Sequence, residues 1–305
     1  MCVSELTFTA PAPFYAARAA EVTIVGLDNL PPFYINTRNQ SGGVVTVSCL
    51  DRLAFSDIMF PHERLTDKGN IPISSVMELL SMALGRSVPK YGGIPSWLTS
   101  IPYERLEDTP CTDILQLISE TCCGVWRYAS DNSPQFLKFG DNSGLINIRK
   151  HTALDIGADY VMSNVICTDS SGRKYSRGTA DHIYDTVRIN SELITDEGCG
   201  EIWERAKGVT VTAWKCDKCL LDGNIIPDIG CRFRFEGGGE YAADSIDCSV
   251  TATGIYMTLS GGQTSDEIST RGSLTRAIDS FQTRKSGNIR YTRYQDIIIE
   301  DDKEK

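Results

Sequence analysis

The first sixty residues of the chain contain three short runs that predict β-strands. Residues 3–10 alternate between apolar and polar side chains, residues 20–25 form a second short run, and residues 44–50 are rich in β-branched side chains. Runs of this kind, separated by turns rich in glycine and proline, are typical of strands. Their spacing favours a small β-barrel or a β-sandwich.

From residue 61 the apolar residues recur with the period of a helix. The first predicted helix stops at Gly85 and is indicated by five apolar residues: Ile73, Val76, Met77, Leu80 and Leu84. A second helix has the same spacing up to Cys122, and we expect Thr109 to cap it, with Pro110 in its first turn. A hairpin at residues 125–139 follows. Residues 62–151 are therefore predicted to form an α/β insert.

Strand patterns return near residue 159 and continue to residue 259. One amphipathic helix, at residues 195–207, interrupts them, and four more strands are predicted at residues 209–214, 229–235, 241–250 and 255–259. The residues after 262 are polar. The predicted fold class is mainly β with an inserted α+β domain.

The composition limits the classes of function. The 305 residues carry 30 basic and 40 acidic side chains, a net charge of −10, whereas a dedicated nucleic-acid binder needs a concentrated basic face. No run reaches the roughly 18–20 apolar residues of a membrane span, and the N-terminal residues lack the layout of a signal peptide. We expect no membrane insertion and no export.

Eleven cysteines are distributed along predicted strands and helices, and their odd number favours reduced, buried thiols over a disulfide framework. The candidate metal ligands are Cys216 and Cys219, a C-x-x-C pair. Structural zinc usually takes four ligands, often as two close pairs, and the cysteines that follow, Cys231 and Cys248, are 17 residues apart. The pattern favours a hairpin turn with two thiols over zinc, so we predict no metal and no cofactor.

Catalytic signatures are missing from the sequence. The three histidines, His62, His151 and His182, are far apart along the chain. The chain has no nucleophile elbow, no phosphate-binding loop and no dinucleotide fingerprint. We predict that the protein is not an enzyme.

Three stretches of the chain carry a resemblance to a known family. They are residues 24–38, which include Pro31-Pro32-Phe33; residues 45–57, in which a strand runs into Asp51-Arg52-Leu53-Ala54; and residues 111–139. In this order and spacing the chain resembles the baseplate hub or tail-tip proteins of phage tails, phage-tail-like bacteriocins (tailocins) and contractile injection systems. The sequence departs from the pattern at Leu50, where an aromatic residue is expected.

The resemblance implies a homotrimer in which each chain contributes two small, tube-like β-barrels. The first barrel would comprise residues 1–61 and 152–190, the insert 62–151, the second barrel 191–262 with its helix, and residues 263–305 would run towards the spike or a neighbouring protomer. Such a ring adapts a six-fold tail tube to a three-fold spike and contacts other baseplate proteins. The resemblance also implies a virion structural protein that is assembled in the bacterial cytoplasm and that meets nucleic acid only as cargo passing through the ring.

Two alternatives come from other functional classes. The first is a tail-tip hub that also degrades cell wall. The second is a glycan- or receptor-binding β-protein at a virion tip, in which aromatic residues of the insert stack on sugars; the candidates are Trp97, Trp126 and Tyr128.

Overall fold

A computed structural model describes residues 5–16, 20–24, 30–85, 93–138, 145–148, 150–179, 186–207, 210–219, 227, 232–235, 240–242, 245–251 and 254–261. Within these residues the fold is mainly β, with three α-helices. The predicted fold class is confirmed to this extent. The division into two barrels and an inserted domain stays a prediction.

The N-terminal part of the chain forms a four-stranded antiparallel sheet in the order β1-β4-β3-β2. Its strands are β1 (Glu5–Pro11), β2 (Glu21–Val22), β3 (Phe33–Ser41) and β4 (Val44–Leu50). Alternate residues of β4 point to a small apolar cluster, in which Val47 and Cys49 are fully buried. The β-branched run predicted at residues 44–50 is therefore a strand with one buried face.

The turn after β4 begins at Asp51, whose carboxylate accepts a hydrogen bond from the Leu53 backbone N–H at 2.9 Å. This contact caps a short 3₁₀ helix, Arg52–Phe55. Both Asp51 and Leu53 are fully buried. The Asp-Arg-Leu-Ala stretch is a turn, as predicted.

The central region contains the two predicted helices and the predicted hairpin. Its elements are β5 (Asn70–Pro72), α1 (Ile73–Leu84), β6 (Ser100–Pro102), α2 (Cys111–Cys122), β7 (Gly124–Tyr128) and β8 (Pro134–Lys138). Helix α1 ends at Gly85, which has a left-handed φ of 63°. The expected cap of α2 is wrong: Pro110 occupies the cap position, and the Thr109 hydroxyl donates to the Glu107 carbonyl at 3.0 Å.

A three-stranded sheet and the third helix follow. They are β11 (Asn164–Thr168), β12 (Lys174–Gly178), β13 (Thr186–Asn190) and α3 (Asp196–Ala206). The sheet has the order β12-β11-β13, and β11 and β13 are parallel. Thr195 caps α3 by accepting from the Gly198 N–H at 3.1 Å. The largest apolar cluster contains residues from Leu53 to Ala206, so α1, α2, α3 and the β11–β13 sheet share one core.

Two further sheets contain most of the C-terminal strands. One has the order β10-β14-β18-β17 and the other β16-β15-β9. Their strands are β9 (Leu145–Ile148), β10 (Ala153–Val161), β14 (Thr210–Cys219), β15 (Arg232–Phe235), β16 (Glu240–Ala242), β17 (Ser245–Thr251) and β18 (Gly254–Gly261). A separate apolar cluster around Trp214 and Phe233 lies among these strands. The single strand predicted at 241–250 is two strands, β16 and β17.

Within the described residues, no helix is long and apolar enough to cross a lipid bilayer.

Candidate functional site

The candidate metal ligands Cys216 and Cys219 lie in β14 and not in the predicted hairpin turn. The pairing of β14 with β18 shifts register between them, and Lys218 has a left-handed φ of 50°. Residues three apart in a regular strand point to opposite faces. The extra residue of the bulge brings both thiols to the buried face, where each is fully buried.

The two thiols are buried in the core and share a hydrogen bond, which lowers the pKa of Cys216. The Cys219 thiol donates to the Met257 carbonyl at 3.2 Å. The hydrogen bond with Cys216, and then burial, raise the pKa of Cys219. Among the described residues no group of three or more histidine, cysteine or acidic side chains is arranged to bind a metal ion. Cys231 lies outside the described residues.

The other described cysteines are also free thiols. Eight of the nine described cysteines are buried, and Cys248 is half-buried. Burial raises the pKa of Cys111 to about 12 and of Cys123 to about 11. Reactive thiols need the opposite, a lowered pKa with solvent access. The expectation of buried cysteines is confirmed for eight of the nine in this part of the chain, and their reduced state stays a prediction.

The two described histidines, His62 and His151, do not come together in a site. His62 lies near Asp108, with its Nε2 3.9 Å from the carboxylate, and packs edge-to-face against Tyr103. His151 packs edge-to-face against Phe235 at a ring distance of 5.6 Å. His182 lies outside the described residues.

The aromatic residues nominated for sugar stacking are core residues. Trp97 is 6%, Trp126 0% and Tyr128 2% exposed. The Trp126 ring packs against Phe136 at 5.1 Å. The proposal that these three rings present a glycan-binding face is therefore wrong, because sugar stacking requires an exposed ring face.

A polar cleft of about 770 Å³ opens between α2 and the end of the β11–β13 sheet. Acidic side chains dominate its charge: Glu104, Asp113, Glu120, Asp169 and Glu192. The Arg105 guanidinium donates to Glu192 at 2.6 Å. Burial, followed by the negative charge of Asp57, raises the pKa of Asp113. No local sequence pattern indicates this cleft, because its acidic residues come from three distant segments.

A second, apolar cavity of about 420 Å³ lies where the N-terminal sheet meets the central region. Tyr34 and Phe55 form one wall in an edge-to-face contact at 6.1 Å. The Tyr34 hydroxyl accepts from the Asn132 side chain at 2.8 Å. These contacts join β3, the turn after β4 and the hairpin into one wall of the cavity. No local sequence pattern indicates this cavity either.

No protein-family model matches this chain, and no curated protein sequence does. Three solved structures are similar to it over most of its length. The 43 kDa tail protein of prophage MuSo2 from Shewanella oneidensis is 13% identical with a TM-score of 0.51, and the match covers 85% of this chain and 88% of that one.

The other two structures match to a similar extent. The prophage tail protein gp18 from Listeria monocytogenes EGD-e is 10% identical with a TM-score of 0.53, and 86% of this chain and 85% of that one are covered. The tail protein from Neisseria meningitidis MC58 is 10% identical with a TM-score of 0.54, with 85% and 87% covered. At these identities the similarity concerns the fold. The chain therefore has the fold of phage tail proteins, and the resemblance stated from its sequence is confirmed at that level.

Proposed function

We propose that this protein is a structural component of the baseplate hub of a phage tail or a phage-like contractile injection system. Three copies form a ring that joins the six-fold tail tube to the three-fold spike. The observation that carries the proposal is the fold shared with two prophage tail proteins and a third tail protein over at least 85% of the chain.

The arrangement of the strands supports a chain with β-rich units on either side of an α/β core. The N-terminal sheet has its own apolar cluster, and the C-terminal sheets have another. The pairing of β10 with β14 favours placing residues 153–161 in the C-terminal β unit. The common core of α1, α2, α3 and β11–β13 favours placing residues 164–206 in the central unit, whereas the sequence prediction divides them between the first barrel (to residue 190) and the second (from residue 191).

The partners follow from this role. The ring contacts the tail tube protein, the spike protein and other baseplate proteins, it resides in the virion or particle tail, and it is assembled in the bacterial cytoplasm. With a net charge of −10, an acidic lumen lets a nucleic acid pass without adhering to the wall.

The role is non-enzymatic. The glycan-binding alternative loses its candidate residues, because Trp97, Trp126 and Tyr128 are buried. For the cell-wall-degrading alternative, the two described thiols whose pKa is lowered, Cys199 and Cys216, are fully buried away from solvent. The described residues also contain no cluster of metal ligands, so no specific observation favours this alternative.

Reconstitution tests the proposal. The purified chain, its cognate tube protein and its cognate spike protein are mixed pairwise and together, then sedimented. We expect a ternary complex in which tube and spike co-sediment only when this chain is present. Tube and spike that associate equally well without it would overturn the proposed role.

A further inference from the structure

Tyr15 is the most exposed large hydrophobic side chain among the described residues, at 90%. A single exposed apolar residue is ordinary, but this one is fixed on both sides. Phe14 packs edge-to-face on Phe8 at 5.9 Å, and the Ala16 carbonyl accepts a hydrogen bond from the Arg38 guanidinium. The backbone is held against the N-terminal sheet while the tyrosine ring extends into solvent.

The same chain contains a cavity of a suitable size for such a ring. The apolar cavity of about 420 Å³ is lined mainly by six side chains: Tyr34, Arg52, Phe55, Ile58, Leu84 and Tyr128. Its volume lies in the range of about 300–1,000 Å³ that is typical of sites for compact ligands. Ile58 at its edge is 43% exposed, although it is apolar. The cavity is therefore an open apolar site with an arginine in its wall.

The walls of the cavity are held by contacts within the chain. Arg52 donates to the Leu84 carbonyl at 3.3 Å, which links the turn after β4 to the end of α1. Tyr34 is held by Phe55 and by Asn132. A preformed cavity costs little to order when a side chain enters, so it favours binding.

We propose that Tyr15 of one copy inserts into this cavity on a neighbouring copy of the same chain. The ring of a tyrosine matches the apolar walls, and its polar end matches the guanidinium of Arg52, which also attracts the face of an aromatic ring. The proposal rests on the proposed function, because it places a contact between copies in the hub ring.

A neighbouring copy fits better than the same copy. Arg38, which holds Ala16, lies four residues after Tyr34 along β3, and four residues of a strand span roughly 13 Å. Tyr15 does not fill the cavity of its own chain, since its side chain is almost fully exposed. A contact between two different surfaces repeats head to tail, and it closes into a ring when the rotation between copies permits.

This contact is one anchor of a larger interface. An aromatic side chain buries about 150–250 Å², whereas a stable interface buries roughly 800 Å² on each partner. Exposed apolar side chains beside the cavity can supply part of the remaining interface area, among them Ile58 and its neighbour Met59, which is 53% exposed. Central aromatic anchors often cost about 30-fold or more in affinity when they are truncated.

The test compares the full-length wild type with three single variants by sedimentation over a range of concentrations. We expect Tyr15→Ala to weaken self-association by about 30-fold or more and Tyr15→Phe to retain most of it. Val44→Ala is the matched control, because Val44 is 46% exposed and lies in the N-terminal sheet against which the Tyr15 backbone is held, and it is expected to associate as the wild type does. Circular dichroism checks that each variant is folded.

A cross-linking experiment identifies the two surfaces directly. Tyr15→Cys and Ile58→Cys are prepared as separate single variants and mixed in equal amounts. Because Tyr15→Cys also lacks the aromatic ring, the mixture is held at about 30 times the concentration at which the wild type associates or higher, and it is treated with copper–phenanthroline in air. The two thiols lose two protons and two electrons to oxygen as the disulfide forms. We expect a cross-linked pair of chains in the mixture, and not in either variant alone or in the wild type.

The outcomes separate this contact from the proposed function. A wild-type ring that persists in Tyr15→Ala, with no cross-link in the mixture, would overturn the contact and leave the ring in place. A wild-type chain that stays monomeric at every concentration would contradict both. A double variant that carries both Tyr15→Cys and Ile58→Cys is oxidised in the same way, and a disulfide that forms only within one chain would also overturn the contact between copies.

Discussion

Arg205 links the end of one helix of the central core to another, and its removal provides a sharp test of that core. Its guanidinium donates to the Cys122 carbonyl at 2.9 Å and to the Cys123 carbonyl at 3.3 Å. These are carbonyls at the C-terminal end of α2, which have no partner within the helix. The side chain comes from α3, is only 12% exposed, and also lies 3.8 Å from Glu201.

The expected cost of Arg205→Ala follows from these contacts. A hydrogen bond from a charged donor contributes about 1.5–3 kcal/mol to the free energy of unfolding. A partly buried cation at a helix C-terminus contributes at most about 2 kcal/mol more. After allowance for water that replaces part of the donor, we expect a loss of about 3 kcal/mol. Since 1 kcal/mol shifts Tm by about 2–4 °C in units of 150–250 residues, the central unit should melt about 6–12 °C lower.

Differential scanning calorimetry measures this shift, and Lys207→Ala is the matched control. Lys207 follows the same helix end but forms an exposed ion pair with Glu204, so its loss should change stability by no more than about 0.5 kcal/mol. Equal melting temperatures for Arg205→Ala and Lys207→Ala would refute the argument that α3 caps α2.

Three further predictions concern the β-rich parts of the chain. Gly178 and Gly172 both have a left-handed φ, but an ideal Cβ on Gly178 would lie 2.2 Å from a backbone carbonyl oxygen, whereas one on Gly172 would meet nothing within 4 Å. Chemical denaturation should therefore show Gly178→Ala to be less stable than Gly172→Ala by at least about 2 kcal/mol. Equal losses of stability in the two variants would contradict the close packing at Gly178. Hydrogen bonds, first from the Ser171 hydroxyl, lower the pKa of Asp169 in the folded chain. The ionised Asp169 carboxylate therefore stabilises the fold at pH values above its unfolded pKa of about 3.9, and this stabilisation is lost as the pH falls through its folded pKa. Urea melts should show Asp169→Asn to be destabilised at pH 7, with a difference from wild type that shrinks below the folded pKa; a constant difference would argue against this assignment. Because the buried thiols Cys216 and Cys219 have no third ligand among the described residues, a zinc chelator should leave the melting temperature unchanged, and a lower one would indicate a bound metal.

Local patterns were sufficient to predict most of the secondary structure. The spacing from Ile73 to Leu84 predicted α1 and its end at Gly85 because one face of that helix is fully buried. The run of β-branched side chains at residues 44–50 predicted β4, because such side chains pack well on the half-buried surface of a sheet. The cap of α2 could not be read from Thr109, since that hydroxyl forms its hydrogen bond with Glu107 instead.

Long-range arrangement was harder to predict. The parallel pairing of β11 with β13 and of β9 with β15 joins segments that no local pattern connects. The bulge between Cys216 and Cys219 depends on pairing with β18, so the sequence suggested a turn where a strand continues. The apolar cavity combines Tyr34, Phe55 and Leu84, whose proximity depends on the packing of separate elements.

The central claim is that three copies of this chain form a hub ring, and electron microscopy of the purified full-length chain, alone and with its cognate spike protein, tests it most directly. We expect a closed particle with three-fold symmetry, containing two β-rich units per chain around a central opening, with the spike seated on one side. A particle of any other symmetry, or a monomer that binds neither spike nor tube, would contradict the account.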